Sequence, residues 1–309
     1  MTTNPPIIHA IIATWNSRKW IRQAIESLQN STIPASIIVV DNASSDDTVT
    51  IIRGLPGDIE LFQMPENLGF AGANNYGLRH ALDHGAEYIV LLNQDAKVAP
   101  EMIAGIIRFF EQHSDYGIIS PLHMNYEGAV VDPVFLSFVS ENTSIASDAL
   151  TQKIREIYEV PFINAAVWLI SRALVEKIGG FDPIFFMYGE DQDYCHRARF
   201  HGFKIGVAPK AMAYHWHDGG KHLQKKSFRE QCLRQCAQIL YRLKRPDHIF
   251  ILSLFGILGT WVQRALIVLA YGDFRQFAAM IVAVVKVVPK IPSVKRHHAE
   301  CRRSGRLWL

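Results

Sequence analysis

Four cysteines in 309 residues, none in a Cys-x-x-Cys pair, leave no disulfide framework and no zinc-ribbon spacing. Cys232 and Cys236 stand four apart and are expected to stack on one helix face as apolar residues, with Cys195 and Cys301 elsewhere. Reduced, structural thiols fit a cytosolic chain. The first residues, Met-Thr-Thr-Asn-Pro-Pro, lack a basic stretch followed by a long apolar one, so no signal peptide is expected. Gly-x-Gly-x-x-Gly is absent, which excludes the Rossmann dinucleotide fingerprint. There is no internal repeat. No uninterrupted apolar run reaches the roughly 18–20 residues that a membrane-spanning helix needs. Acidic residues are scarce at one end: residues 221–309 carry 17 basic and 4 acidic groups, whereas residues 1–220 carry 15 and 25. A hydrophobic content of 49% with 20% charged residues excludes a disordered chain.

What is present in the first 120 residues is an alternation of apolar runs with helix-period segments. Strands are expected at 7–13, 37–40, 59–63, 88–92 and 117–120. Helices are expected at 17–29, 46–52, 72–84 and 102–112, the first with Trp20, Ile21, Ala24, Ile25 and Leu28 on one face. This order predicts a mostly parallel, doubly wound sheet. Residues 122–160 read as an irregular loop region. Strand character returns at 161–170, Ser171 can cap a helix to 178, residues 190–201 are helical, and 203–207 and 212–216 are strand-like.

From Lys221 the character changes. Residues 225–244 form a basic helix, 249–263 carry no charge, Arg264 interrupts, and 265–272 and 278–285 are again apolar. An Arg at mid-membrane costs about 2.5 kcal/mol or more. Apolar helices flanked by Lys286, Lys290, Lys295, Arg296, Arg302, Arg303 and Arg306 predict an interfacial contact with anionic lipid. A membrane-inserted hairpin and a soluble helical cap or homo-oligomer interface are the competing readings. The chain thus divides into 1–220, an α/β domain, and 221–309, a helical, basic and apolar membrane-associating region.

The chemistry concentrates in Phe-Phe-Met-Tyr-Gly-Glu-Asp-Gln-Asp-Tyr-Cys-His-Arg at 185–197. Carboxylates behind an aromatic run are costly unless they bind a metal, pair with a cation or transfer a proton. Asp41 and Asp95 each follow a β-like apolar run, and acidic groups at several strand ends suggest a nucleotide and metal site on the sheet edge. Asp193 has Arg197 at i+4 as a partner.

These residues, in order, resemble the inverting family 2 glycosyltransferases of the GT-A fold, especially the rhamnosyltransferase-like branch. The carrying motifs are Ala-Thr-Trp-Asn at 13–16, Val-Val-Asp-Asn-Ala-Ser-Ser-Asp at 39–46 and Asn-Leu-Gly-Phe-Ala-Gly-Ala-Asn-Asn-Tyr-Gly at 67–77. Leu-Leu-Asn-Gln-Asp at 91–95, Gly-Gly-Phe-Asp at 179–182, Gly-Glu-Asp-Gln-Asp-Tyr-Cys-His-Arg at 189–197 and His215 follow. The resemblance implies that Asp41 accepts a hydrogen bond from a pyrimidine, with Thr14 and Asn16 near base or ribose; capping of the next turn is the plainer reading of Asp41. Asn67 and Asn74 offer neutral hydrogen bonds, and Gly69 and Gly72 permit close approach of a ligand. Asn93-Gln94-Asp95 stands where the family carries Asp-x-Asp, which makes Asp95 the metal ligand and Asn93 a ribose or sugar contact.

The resemblance also implies a Mg2+ or Mn2+ ion on Asp95 and His215, with His217 the runner-up. Asp191 is the expected base and Glu190 an orienting group at the acceptor. Trp168 and Trp216 either stack on a sugar or pack in the core. The implied reaction moves a hexose, rhamnose from dTDP-rhamnose first and a UDP-hexose second, from a nucleoside-diphosphate sugar to a lipid-linked or glycan hydroxyl in cell-envelope synthesis. The enzyme would work peripherally on the cytoplasmic face of a bacterial inner membrane. A nucleotidyltransferase lacks its Gly-rich basic loop here, since residues 13–19 match it poorly, and a non-catalytic nucleotide-sugar-binding scaffold would not need Asp95, Asp191 and His215 together. No base-stacking module accompanies the basic tail, so no nucleic acid partner is expected.

Overall fold

The computed structural model of the chain describes residues 5–140, 142–216 and 227–309. Its first half follows the alternation: β1 (Ile8–Thr14), α1 (Ile21–Gln29), β2 (Ser36–Asp41), α2 (Thr48–Arg53), β3 (Ile59–Gln63), α3 (Gly69–Asp83) and β4 (Tyr88–Leu92). β5 (Ala96–Val98), α4 (Met102–Gln112), β6 (Tyr116–Asn125), α5 (Pro133–Val139), α6 (Thr143–Leu150) and β7 (Tyr158–Glu159) come next. β8 (Val167–Ser171), α7 (Arg172–Ile178), α8 (Glu190–Phe200) and β9 (Lys204–His215) complete the sheet layer. The remainder is helical: α9 (Phe228–Lys244), α10 (Phe250–Ala270), α11 (Phe274–Val287), a 3-10 turn at Val288–Lys290 and α12 (Ile291–Glu300).

The strands form one mixed sheet in the order β3-β2-β1-β4-β8-β6-β9-β5, with β7 also on β9. β3, β2, β1 and β4 run parallel, β8 enters antiparallel, and β6 and β9 are parallel to each other, so most paired residues are parallel. Side chains alternate between two apolar layers, as a period of two dictates. Ala10, Ile12, Val39, Val90 and Leu92 pack with α1 and α4, while Ile11, Ile38, Val40, Ile89 and Leu91 pack with α3, α7 and α8. Both faces of the sheet are therefore dry, which is why its strands are near-continuously apolar.

Several boundaries differ from expectation for local reasons. α1 begins at Ile21 because Ser17 to Trp20 close a turn, Trp20 N donating to Ser17 O at 2.9 Å. The stretch expected to be irregular holds the end of β6 and two short helices. One starts where Asp132 Oδ1 accepts from Phe135 N at 2.7 Å with Pro133 in the first turn, the other where Asn142 caps Ser144 and Ile145. The two strands expected near the end of the sheet are one long β9, with a register shift beside Pro121 and Leu122. β5, three residues long, carries too little pattern to be seen in the sequence.

The C-terminal helices pack against the segment that leads into α8. Ile239, Leu240, Leu243, Trp261, Met280, Ala283 and Val287 share an apolar cluster with Phe185, which lies just ahead of α8. α10 forms one 21-residue helix straight through Arg264, and by length and composition both it and the 274–300 segment are long enough to cross a membrane. Its Ile257, Trp261 and Val268 face the protein, whereas Leu252, Phe255, Leu258, Val262 and Leu266 form an exposed apolar face. The chain then returns to the sheet layer, where Gly180 N donates to Leu307 O at 2.8 Å. The expected division at 220 and 221, the start of the basic helix at Lys225 and the leader region at 1–4 lie outside the described residues.

Candidate active site

Parallel strands in register put their C-terminal ends on one edge, and the residues singled out from the sequence are the ones found there. Thr14, the last residue of β1, is opposite Asp41, the last of β2. Gln94, just past β4, accepts from Thr14 Oγ1 at 3.0 Å and from Trp15 N at 2.7 Å. Asn93 N donates to Ala166 O at 2.9 Å, which carries the row onward to β8. The sheet edge thus runs Asp41, Thr14, Gln94, Asn93 and Ala166 before it reaches the start of α8.

Asp41 is 1% exposed; its Oδ2 accepts from Ser44 N at 3.1 Å, while its Oδ1 has no partner among the described residues. A buried acceptor left open at a strand end is suited to an N–H supplied by a ligand, because an unpaired buried oxygen costs about 1–3 kcal/mol. Asn16, at a positive φ of 49°, accepts from Ser45 N at 2.8 Å and holds the β1 and β2 loops together. Asn67 Oδ1 accepts from Gly69 N at 2.8 Å, and Asn74, buried on α3, donates to Phe70 O at 2.9 Å. Asn42, which the sequence did not single out, ties this loop to β2 through Leu68 N and Gly69 O. The close approach at Gly69 (φ +71°) is by the Phe186 carbonyl, which a side chain would strike, and at Gly72 by Leu68.

Antiparallel pairing of β5 with β9 sets Ala96 opposite His215, so that Asp95 and His215 meet. Trp216 N donates to Asp95 O at 3.0 Å, and His215 Nε2 is 3.4 Å from Asp95 Oδ1. One carboxylate oxygen and one imidazole nitrogen at this separation fit a divalent cation whose other ligands come from phosphate oxygens and water. Among the described residues no third His, Cys, Asp or Glu joins them. Asn93 is half-buried in the turn between β4 and β5. His217 lies outside the described residues. Trp168 is core, stacked at 6.3 Å on Phe181, and Trp216 packs at 4.6 Å from Trp20 with Lys19 over its ring.

α8 opens at Gly189, whose φ of +85° turns the chain so that Glu190 and Asp191 form the first helical turn. Burial pushes the Glu190 carboxyl up to about 8, with the Asp191 charge adding to the effect; Glu190 is 8% exposed and its Oε2 has no partner among the described residues. Burial also raises Asp191, to about 6, against the N–H groups of Gln192 and Ala165, which favour its ionised form. Burial thus raises the proton affinity of both neighbouring carboxyls. Ala165 precedes the residue bonded to Asn93, so Asp191 stands at the same sheet edge as the strand-end row.

The third acidic residue of the motif serves a different purpose. Asp193 is bonded to Arg197 at 2.8 Å, as its spacing predicts, and to Lys244 Nζ at 2.9 Å. Lys244 also pairs with Asp182, which accepts from His297 Nδ1 at 2.7 Å. Arg197 donates to Ile178 O and Gly180 O, both at 2.8 Å. Lys244, Asp182 and Arg197 are all 0% exposed. Asp182 and Asp193 bracket residues 183–192, so this ionic cluster pins both ends of the segment that carries Glu190 and Asp191. Lys244 ends the helix read from the sequence as basic, and His297 was not singled out; no sequence signal separates a buried lysine from its solvated neighbours on the same helix.

Residues 9–179 match the family model described as Glycosyl transferase family 2. The chain is 33% identical over 186 residues to the low-salt glycan biosynthesis hexosyltransferase Agl10 of Haloferax volcanii, covering 59% of each protein. It is 24% identical over 217 residues to the dTDP-rhamnosyl transferase RfbF of Shigella flexneri, covering 67% of this chain and 68% of that one. Among solved structures, the mannosyltransferase PcManGT from Pyrobaculum calidifontis, in complex with GDP-Man and Mn2+, superposes with a TM-score of 0.58 at 17% identity, over 93% of this chain and 88% of that one. S. aureus TarS 1–349 in complex with UDP-GlcNAc gives 0.56 at 17% identity, over 96% and 89%. At that identity the likeness is one of fold, the GT-A arrangement of a mixed α/β sheet.

Proposed function

The chain belongs to glycosyl transferase family 2, and on that premise we propose that it is an inverting hexosyltransferase using a nucleoside-diphosphate sugar. The observation that carries this is a single sheet edge: Asp41 with an open buried oxygen, Asp95 and His215 in contact, and Asp191 beside β8 with a raised proton affinity. In this reading Asp41, Thr14 and Asn16 face the nucleoside, Asn67 and Asn74 line the loop beside it, and Asn93 meets ribose or sugar. Asp95 and His215 would hold Mg2+ or Mn2+, which would supply positive charge to offset that of the departing diphosphate. Asp191, ionised near neutral pH, takes the proton of the acceptor hydroxyl as its oxygen bonds to the anomeric carbon and the diphosphate oxygen leaves from the opposite face. Glu190, whose burial favours its protonated form, orients the acceptor by a hydrogen bond.

Rhamnose from dTDP-rhamnose is the preferred donor, supported by the likeness to a dTDP-rhamnosyl transferase, with UDP-hexoses next. The acceptor is a lipid-linked or glycan hydroxyl of the cell envelope, and the protein works at the cytoplasmic face of the inner membrane. The exposed face of α10 and the basic residues beside it support that placement, since apolar side chains flanked by lysine and arginine settle at an anionic bilayer surface. Residues 1–220 act as the catalytic unit and 221–309 as the membrane-facing unit in this scheme. The test is a screen of dTDP-, UDP- and GDP-hexoses with Mn2+ and a bacterial lipid extract, read as nucleoside diphosphate release. Turnover of one donor class is expected; a folded protein inert toward the whole panel would contradict the proposal.

A further inference from the structure

Resting on the transferase reading, we infer that the cavity between the loop ahead of α8 and helices α9 and α11 is the acceptor subsite, and that it takes the phosphate-proximal stretch of a membrane lipid phosphate. The cavity holds about 210 Å³ and is walled by Phe185, Met187, Leu233, Cys236 and Leu240, with Lys286 and Lys290 at its rim. Its loop wall, residues 184–188, runs directly into Gly189 and then Glu190 and Asp191. Whatever fills it is therefore a few residues of chain away from the proposed base.

Three observations select the ligand class. The lining is mainly aliphatic and aromatic, and its polar side-chain groups are the Tyr188 hydroxyl, the Cys236 thiol and two lysines, a poor match to the many hydroxyls of a free glycan. Lys286 and Lys290 are exposed, lie one helical turn apart, and have no ion-pair partner among the described residues, which leaves two cations for a phosphate. Nearby, Arg234 is held by Glu230 at 2.9 Å and lies over the Tyr188 ring at 4.1 Å. The volume is below the roughly 300–1,000 Å³ of a typical small-molecule pocket, so it accommodates a segment of a longer molecule.

A larger cavity, about 500 Å³, sits at the corner of α9 and α10, but none of its walls comes from the α8 loop. Its Arg245 is already paired with Asp247 at 2.7 Å. The smaller cavity is the one whose loop wall continues along the chain into Glu190 and Asp191.

Cys236 supplies the test, because Cys195, Cys232 and Cys301 are buried and Cys236 is the half-buried free thiol. The full chain in detergent is labelled with N-ethylmaleimide in the presence of farnesyl phosphate, farnesol or inorganic phosphate. Farnesyl phosphate at saturation should slow Cys236 labelling by about tenfold, by mass action on the occupied cavity, while the other two change it by less than about twofold. The double variant Lys286→Gln with Lys290→Gln should lose this protection, judged against its own ligand-free rate, because removing the two charges that favour the Cys236 thiolate slows its labelling without any ligand. No protection by farnesyl phosphate, or equal protection by farnesol, overturns the inference. Nucleotide binding to the same preparation by equilibrium dialysis keeps the two proposals apart. Protection without nucleotide binding leaves the lipid site standing and removes the transferase, and nucleotide binding without protection does the reverse.

Discussion

Replacing Lys244 by Met removes a cation from a cluster that keeps two carboxylates in a dry interior. Lys244, Asp182 and Arg197 are fully buried and Asp193 nearly so, so no water is available to solvate Asp182 or Asp193 once the ammonium is gone. Breaking a buried ion pair from one side costs about 3–5 kcal/mol. For a chain of this size roughly 2 °C of midpoint corresponds to 1 kcal/mol, so thermal unfolding followed by circular dichroism should fall by about 6–10 °C near neutral pH. The pH dependence carries a sign that simple loss of packing would not. In the wild type, burial opposes ionisation of Asp182, but the Lys244 charge and His297 outweigh it and hold the carboxyl well below its usual range. Its stabilising contribution is present above an unfolded pKa of about 4 and is lost as pH falls through the lower folded value. In the variant, burial is left in control, the folded pKa rises, and stability is lost as pH increases. The gap between the two proteins should therefore widen from about pH 4 to pH 7, and adding Asp182→Asn to the variant should narrow it. A shift under about 2 °C, or a gap that stays flat with pH, would refute the ionic account of this cluster.

Three further outcomes follow from the same geometry. The initial rate of sugar transfer should rise with pH through about 6, since Asp191 accepts a proton only when ionised; a flat profile from pH 5 to 7 would remove it from that role. Mn2+ at about 100 times its Kd, with a nucleoside diphosphate present, should stabilise the wild type by about 2.7 kcal/mol and leave Asp95→Ala and His215→Ala unmoved. EDTA should lower the rate in parallel, and indifference of both readouts would place leaving-group stabilisation on side chains alone. Leu258→Glu combined with Leu266→Glu should lower partitioning onto anionic vesicles by about tenfold or more, because both lie on the exposed face of α10; unchanged sedimentation would assign that face to a contact between proteins.

Elements that announce themselves by period were legible in the sequence. β1 and β2 are apolar runs ending in Thr14 and Asp41, β4 is an apolar run followed by Asn93, and parallel pairing alone aligns Thr14, Asp41 and the 93–95 turn. The Asp193–Arg197 pair follows from i+4 spacing. What was not legible depends on tertiary contact. The meeting of Asp95 with His215 needs β5, whose three residues carry no pattern, to pair with a strand more than a hundred residues away. Asn42 and Gln94 look like any loop amide until the loops they bridge are side by side. The C-terminal region misled for a physical reason: net charge and apolar runs describe average surface, and they cannot reveal that Lys244 and His297 face inward to bind Asp182. The short helices after β6 were lost because their signal is only a cap residue, Asp132 or Asn142.

The most direct test is Asp191→Asn, assayed for both transfer and donor binding. The substitution keeps shape and removes a carboxylate whose burial disfavours its charge, so the thermal midpoint should hold or rise at neutral pH. Transfer should fall by about 10²–10⁴-fold, the usual contribution of a positioned base, while the nucleotide-sugar Kd stays within about twofold. Full transfer activity in the folded variant would contradict the account.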